Sequence, residues 1–110
     1  MWHDWHSRAL RKLETLNEDG LNRVSYLAAD SLLRELSYRD IKPDRIVRTA
    51  DFLISMWFVL PSTSKIRVEA CEDGEFVLSL LSRSSASTHM EFATAADVAK
   101  ELATMRDADG

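Results

Sequence analysis

The sequence predicts an α+β fold in which two helices precede an antiparallel sheet and a third helix follows it. Three observations predict this order. Apolar residues recur every three or four positions over residues 1–18 and 21–38, as they do along one face of a helix. Between residues 45 and 92 the period falls to two, with many β-branched and aromatic side chains. A last stripe of helical period covers residues 94–106.

The first two helices are expected to form a helical hairpin. Gly20 ends the first helix, because glycine adopts the left-handed conformation without a Cβ clash. The short connection makes the helices antiparallel, and Pro43 stops the second one because its ring removes a backbone donor. The predicted apolar stripe of the first helix is Trp2, Trp5, Ala9, Leu13 and Leu16. That of the second is Leu21, Val24, Leu27, Ala28, Leu32 and Leu36.

The sheet is expected to be an antiparallel meander of three to five strands. Residues 46–49 predict a short edge strand, and residues 52–60, which are apolar on both faces, predict a central one. Residues 65–70 alternate as a half-buried strand does, and residues 89–92 suit a fourth or fifth strand. The polar residues 83–88 predict an exposed connection.

The hairpin at Asp73-Gly74 has two possible registers. A two-residue turn sets Val68 opposite Ser79 and mixes polar with apolar side chains on each face. A three-residue loop with Gly74 left-handed makes one face wholly apolar. We therefore expect the three-residue loop, which pairs Ala70 with Phe76, Val68 with Leu78 and Ile66 with Leu80.

The last helix is expected to pack on the sheet. Thr94 and Asp97 resemble a capping box, with aspartate in place of the usual glutamate. The stripe behind them is Ala95, Val98, Ala99, Leu102 and Met105. We expect residues 1–110 to form a single domain, since this length is ordinary for one hydrophobic core.

Composition indicates a soluble, cytoplasmic protein. The chain has 110 residues, 45% hydrophobic and 29% charged, and its longest apolar run is too short to span a bilayer. The amino terminus lacks the pattern of a signal peptide, and a single Cys71 agrees with a reducing compartment. The net charge of −4 disfavours binding to nucleic acid and to anionic membranes.

No motif indicates an enzyme. His3 and His6, with Asp4 between them, are too few ligands for a metal site. Cys71 stands next to acids, which raise a thiol pKa when a nucleophile needs it lowered. The serines lack a glycine-flanked elbow, and the three glycines form no phosphate-binding loop. We therefore predict no catalytic residue, no cofactor and no metal.

A basic cluster surrounds the predicted edge strand. It consists of Arg39, Lys42, Arg45 and Arg48, and Asp40, Asp44 and Asp51 alternate with it. Contact with phosphate is one interpretation. A solvated face that discourages pairing between sheet edges is the interpretation that we favour.

Residues 52–60 present more apolar surface than one sheet face needs. If Ser55 and Trp57 share a face with Ile66 and Val68, then Phe52, Ile54, Met56 and Phe58 lie on the opposite face. Either a helix of this chain or a partner covers that face, and both alternatives are open. The candidate partner-binding residues are Ile54, Met56 and Phe58, with the acidic Glu69, Glu72, Asp73 and Glu75.

One stretch of the chain resembles small uncharacterised bacterial proteins that are tied to mobile elements. They have a helix, a Pro-x-x-Val segment, a strand that ends in Trp and a strand closed by Asp-Gly. Here Pro43 to Ile46-Val47, Trp57 and Asp73-Gly74 carry the resemblance, which covers residues 24–81. Phe52-Leu53 stand where those proteins carry two glycines. The resemblance implies no catalytic residues.

We therefore expect a non-enzymatic protein-binding module. We expect the chain to be a small acidic inhibitor or neutraliser whose partner is another protein. Antitoxins, immunity proteins and phage-encoded anti-CRISPR proteins act in this way. The alternative is a structural or accessory homodimer without inhibitory activity. An enzyme is the third hypothesis, and it requires a pocket in which titratable groups converge.

Overall fold

The computed structural model describes residues 4–81 and 88–109, and it confirms the α+β fold with two helices, five strands and a final helix. The elements are α1 (Asp4–Glu18), α2 (Arg23–Tyr38), β1 (Arg45–Arg48), β2 (Ile54–Val59), β3 (Lys65–Ala70), β4 (Phe76–Leu81), β5 (Thr88–Phe92) and α3 (Ala95–Asp109). Trp2, His3 and most of the predicted connection at residues 83–88 lie outside the described residues.

The strands form one antiparallel sheet in chain order, with β1 and β5 at its edges. The predicted edge strand is therefore confirmed as β1, and residues 89–92 belong to the fifth strand. The predicted register of the β3–β4 hairpin is also confirmed, since Ala70, Val68 and Ile66 lie opposite Phe76, Leu78 and Leu80.

The first three hairpin turns share one geometry. In each, the residue that closes the loop donates its backbone N–H to the carbonyl three residues earlier: Phe52 to Thr49, Thr63 to Leu60 and Gly74 to Cys71. The donors are all left-handed, with φ of 63°, 70° and 87°, and they stand eleven positions apart. Two of the three are not glycine, so the chain accepts local strain to keep the same three-residue loop.

The β2–β3 register corrects the predicted faces of β2. Met56 lies opposite Val68 and Phe58 opposite Ile66, and directly opposed residues in an antiparallel pair point to the same face. The interpretation that places Ile54, Met56 and Phe58 on the sheet face away from Ile66 and Val68 is therefore wrong. All five side chains belong to the core.

A layer of three helices covers the face that carries this core. α1 contacts β1, α2 contacts β2 and β3, and α3 contacts β4 and β5, while α2 also contacts both other helices. The predicted stripe of α3 is confirmed, because Val98, Ala99 and Leu102 are buried and Ala95 and Met105 pack against the core.

The buried face of α2 differs from the predicted stripe. Val24 and Leu27 are 43% and 48% exposed, and the stripe is rotated towards a different set of side chains. That set is Ser25, Ala29, Leu32, Leu33, Leu36 and Ser37. The prediction is confirmed for Leu32 and Leu36, which are buried, and is wrong for Val24 and Leu27. It assigned the core by apolarity alone, whereas two of the buried residues are serines.

Asp40 joins the three helices at one end of the layer. It is left-handed, with φ of 51°, and the N–H of Ile41 bonds to the carbonyl of Leu36 at 2.9 Å, which closes the end of α2. The indole of Trp5 in α1 donates to the Asp40 carboxylate at 3.0 Å. Arg106 in α3 donates to the Asp40 carbonyl at 3.3 Å.

Local signals fix the other helix ends. Gly20 is left-handed, with φ of 92°, as predicted. Asn22 caps α2 by accepting from the N–H of Ser25 at 3.0 Å, so this helix begins two residues later than the apolar pattern. Thr94 caps α3 by accepting from the N–H of Asp97 at 3.2 Å, in agreement with the predicted cap.

Ser25 connects α2 to the sheet through a buried hydroxyl. The group donates to the carbonyl of Ala70 at 2.6 Å and accepts from the N–H of Ile54 at 3.0 Å. Ala70 ends β3 and Ile54 begins β2, directly opposite it. The hydroxyl therefore bridges the last rung of the β2–β3 ladder and fixes the position of the helix along the sheet.

Ser25→Ala is expected to lower the free energy of unfolding by about 2–4 kcal/mol, because it leaves a buried N–H and a buried C=O without their shared partner. Ser37→Ala is the matched control, since Ser37 is equally buried in the same helix but its hydroxyl has no described hydrogen-bond partner. Its expected effect is within about 1 kcal/mol. Urea unfolding of both variants measures the difference, and equal losses would contradict the bridging role.

Thr63→Gly is expected to stabilise the fold by about 1 kcal/mol, because glycine removes the Cβ clash at positive φ and Thr63 is exposed. Thr63→Ala keeps the Cβ, so its stability should remain near that of the parent. Thermal unfolding checks both variants. A glycine variant less stable than the alanine variant would show that the left-handed conformation carries no strain.

Candidate functional site

The sheet face opposite the helices is not covered by any described helix, and we call it the open face. It is made of the side chains that alternate with the core positions: Arg45, Val47, Ser55, Trp57, Val59, Lys65, Arg67, Glu69, Val77, Ser79, Leu81, His89 and Glu91. Val59 is 49% exposed there, and Trp57 and Arg67 are half-buried. The face is a rigid surface, because five hydrogen-bonded strands hold its backbone.

One row of directly opposed residues crosses all five strands: Arg45, Trp57, Arg67, Ser79 and His89. The guanidinium carbon of Arg67 lies 6.0 Å from the centroid of the Trp57 ring, within cation–π range. Ser79 Oγ and His89 Nδ1 lie 2.8 Å apart. The row thus presents an aromatic ring and an arginine side by side near the centre of the open face.

The Ser79–His89 pair has the residue types of a nucleophile and its base. Its geometry does not suit that chemistry, since Ser79 is only 3% exposed and a substrate cannot reach it. No carboxylate is hydrogen-bonded to His89 within residues 4–81 and 88–109, so no described third group orients the imidazole. We interpret the pair as a cross-strand hydrogen bond that stabilises the β4–β5 edge.

Charge is polarised along the strands of the open face. Lys65 and Arg67 lie towards the hairpin at residues 60–64, and Glu69 lies towards the hairpin at residues 71–75. On β5, Glu91 stands in the same row as Glu69, across Val77. The face therefore has a basic end and an acidic end.

The acidic end continues into the β3–β4 turn. Glu72, Asp73 and Glu75 are exposed there, and Cys71 lies among them. Burial raises the pKa of the Cys71 thiol, and the negative charges of Glu69, Asp73, Glu91 and Glu75 raise it further. The thiol is therefore protonated at neutral pH, as the sequence predicts, and is a poor nucleophile.

Ser55 occupies an unusual position on the open face. It is 2% exposed, although it points away from the helices, and its hydroxyl has no hydrogen-bond partner within the described residues.

The structure separates the predicted partner-binding residues into two groups. Ile54, Met56 and Phe58 are 0%, 1% and 5% exposed beneath the helices, so the prediction that they form an exposed contact surface is corrected. The acidic residues are brought together: Glu69 on the open face, and Glu72, Asp73 and Glu75 at its acidic end.

The apolar pattern of the sequence does not place Trp57 and Arg67 on one face. A signal was present, because the same three-residue loop applied to residues 60–64 sets Trp57 opposite Arg67. That loop lacks a glycine to mark its left-handed position, so the sequence alone does not determine the register of β2 with β3. Its left-handed residue is Thr63, a type that rarely adopts positive φ.

Within the described part of the chain, no three potential metal ligands cluster together. His6 is 3% exposed in α1. None of the described helices combines the length and apolarity needed to cross a bilayer.

Comparison with protein-family models, with curated proteins and with solved structures finds no match for this chain. The resemblance to proteins of mobile elements stays a prediction that depends on the sequence motifs alone.

Phe58→Asp and Trp57→Asp form a matched pair, because the two residues are adjacent in β2 and point to opposite faces. Phe58→Asp buries a charge in the core and is expected to cost more than about 4 kcal/mol, which unfolds the domain. Trp57→Asp is expected to cost about 1 kcal/mol, since it loses only a partly exposed contact with Arg67. Circular dichroism and thermal unfolding distinguish them, and a folded Phe58→Asp variant would contradict the assignment of faces.

Proposed function

We propose that this chain is a non-enzymatic protein-binding module that docks through the open face and acts as a small acidic inhibitor or neutraliser of another protein. This is the class of antitoxins, immunity proteins and anti-CRISPR proteins. The observation that carries the proposal is the half-buried Trp57 beside Arg67 on a rigid sheet face that no described helix covers.

Tryptophan and arginine are the residue types most enriched among those that dominate binding energy at protein interfaces. Here they lie together near the centre of the face, with Val47, Val59 and Val77 around them. The strands hold these side chains before binding, so little conformational entropy is lost when a partner docks. The arrangement supports recognition of a protein surface.

The acidic end of the open face indicates the charge of that surface. Glu69 and Glu91 lie on the face, and Glu72, Asp73 and Glu75 extend it. A partner with a basic patch opposite this end gains attraction and a faster encounter rate. The net charge of −4 acts in the same direction.

The second candidate function is a homodimer that forms through the same face. A two-fold axis in the plane of the sheet and perpendicular to the strands places the basic end of one copy against the acidic end of the other. Arg67 of one copy then lies close to Glu69 of the second copy. The polarity of charge along β3 favours this self-complementary arrangement.

A photo-crosslinking experiment tests the first candidate. A photoreactive residue is placed at Lys65, which is exposed on the open face, and at Lys100 of α3 as the matched control. We expect the Lys65 probe, and not the Lys100 probe, to crosslink one protein in the source cells. The activity of that protein, once purified, should fall when the parent chain is added and remain unchanged with Trp57→Asp.

Crosslinks of equal yield from both positions would contradict docking through the open face. A partner that keeps full activity in the complex would contradict inhibition. Sedimentation equilibrium tests the homodimer: the parent should dimerise, Arg67→Glu should be monomeric, and Arg67→Glu combined with Glu69→Arg should dimerise again. A parent that is monomeric at all concentrations removes the second candidate.

A further inference from the structure

A groove lies between α1 and the edge strand β1, on the side of the molecule away from β5. We call it the basic groove, and its volume is about 370 Å³. Trp5, Arg8 and Lys12 of α1 line one wall. The other wall is formed by Lys42, Arg45 and Ile46. The groove is therefore bounded by a helix on one side and by the outer edge of the sheet on the other.

The four cations of the groove make no ion pair with a carboxylate of the described residues. Arg8 and Lys12 stand one helical turn apart, and both are exposed, as are Lys42 and Arg45. Asp44 also lines the groove, but its carboxylate accepts from the N–H of Val59 at 2.7 Å. A chain of net charge −4 thus gathers four positive charges and a single carboxylate, that of Asp44, around one cleft.

The backbone of β1 offers hydrogen-bonding groups to this groove. The N–H of Thr49 bonds to the carbonyl of Leu53 in the adjoining turn. Because inward and outward groups alternate along an antiparallel strand, Arg45 and Val47 bond to β2, whereas the N–H and C=O of Ile46 and Arg48 point away from it. An edge of this kind accepts a further strand unless charge or covering elements prevent it.

The basic cluster predicted around this edge is divided in the structure. The guanidinium of Arg48 donates to the carbonyl of Asp19 at 3.1 Å and lies 5.0 Å from the centroid of the Phe52 ring, so it secures the far end of β1. Lys42 and Arg45 remain in the groove with the cations of α1. The positive charges of the groove repel basic strands from this edge, but they attract acidic strands.

We propose that the basic groove binds an acidic, extended peptide segment of a partner protein. The peptide adds to β1 as a sixth strand, with main-chain hydrogen bonds to Ile46 and with its carboxylates near Arg8, Lys12, Lys42 and Arg45. A peptide fits better than a nucleic acid, because Trp5 is only 8% exposed and offers no ring face on which a base can stack. This site shares Arg45 and Val47 with the edge of the open face, but the proposal does not depend on the function proposed for that face.

Fluorescence anisotropy with a labelled peptide of alternating Glu and Val tests the proposal, with the Gln and Val peptide as control. We expect the Glu peptide to bind and the Gln peptide to bind at least about tenfold more weakly. Arg8→Glu combined with Lys12→Glu should weaken binding by at least about tenfold. The matched control, Arg11→Glu combined with Lys100→Glu, reverses two exposed charges outside the groove and should leave the affinity within about twofold.

A milder pair, Arg8→Gln with Lys12→Gln, repeats the test with neutral side chains in case the charge reversal alters folding. Strand addition is tested separately by N-methylation of alternate peptide residues. Alternate residues of the peptide form two sets, and methylation of the set whose N–H groups bond to β1 should abolish binding. The Ile46 amide should also become protected from hydrogen exchange in the complex.

Three outcomes would overturn the proposal. Equal binding of the Glu and Gln peptides would exclude recognition of charge. Equal loss in the groove and control variants would indicate only a general effect of net charge. Tighter binding of a single-stranded DNA of the same charge, lost in the Arg8 and Lys12 variants, would assign the groove to nucleic acid instead.

Discussion

The position of α2 on the sheet depends on the hydroxyl of Ser25. It satisfies a backbone donor of β2 and a backbone acceptor of β3 at the same point, where these strands meet the β1–β2 and β3–β4 turns. Hydrophobic burial is non-directional, whereas a buried hydrogen bond ties the helix to two particular backbone groups and is lost if the helix moves. The serine therefore fixes where α2 lies along the sheet, whereas the alternation of apolar side chains determines which face the helices cover.

The residue at the left-handed position of each hairpin turn determines which of the turns could be predicted from the sequence. The β3–β4 hairpin was predictable because Gly74 marks the left-handed position and the alternation selects one register. The β1–β2 and β2–β3 turns have the same geometry, but Phe52 and Thr63 take the place of glycine. Local propensity disfavours both residues at positive φ, so only the sheet context reveals these turns.

The error in α2 has a related cause. Ser25 and Ser37 are buried while Val24 and Leu27 are exposed, so apolarity alone places the helix face incorrectly. The buried position of Ser25 becomes recognisable only when the backbone groups that it satisfies are known. The candidate site shows the same limit: Glu69 and Asp73 were found from charge, whereas the position of Trp57 beside Arg67 required the register of β2 with β3.

Arg45 connects the two surfaces that the structure makes available. It begins the row that crosses the open face, and it also lines the basic groove at the sheet edge. Any strand that adds to β1 extends the open face by one strand, next to Arg45. Because the overall charge of the chain is negative, this local reversal of sign allows the edge to select acidic segments while the acidic end of the open face repels them. The separation of charge within one small sheet thus permits two binding surfaces with opposite preferences.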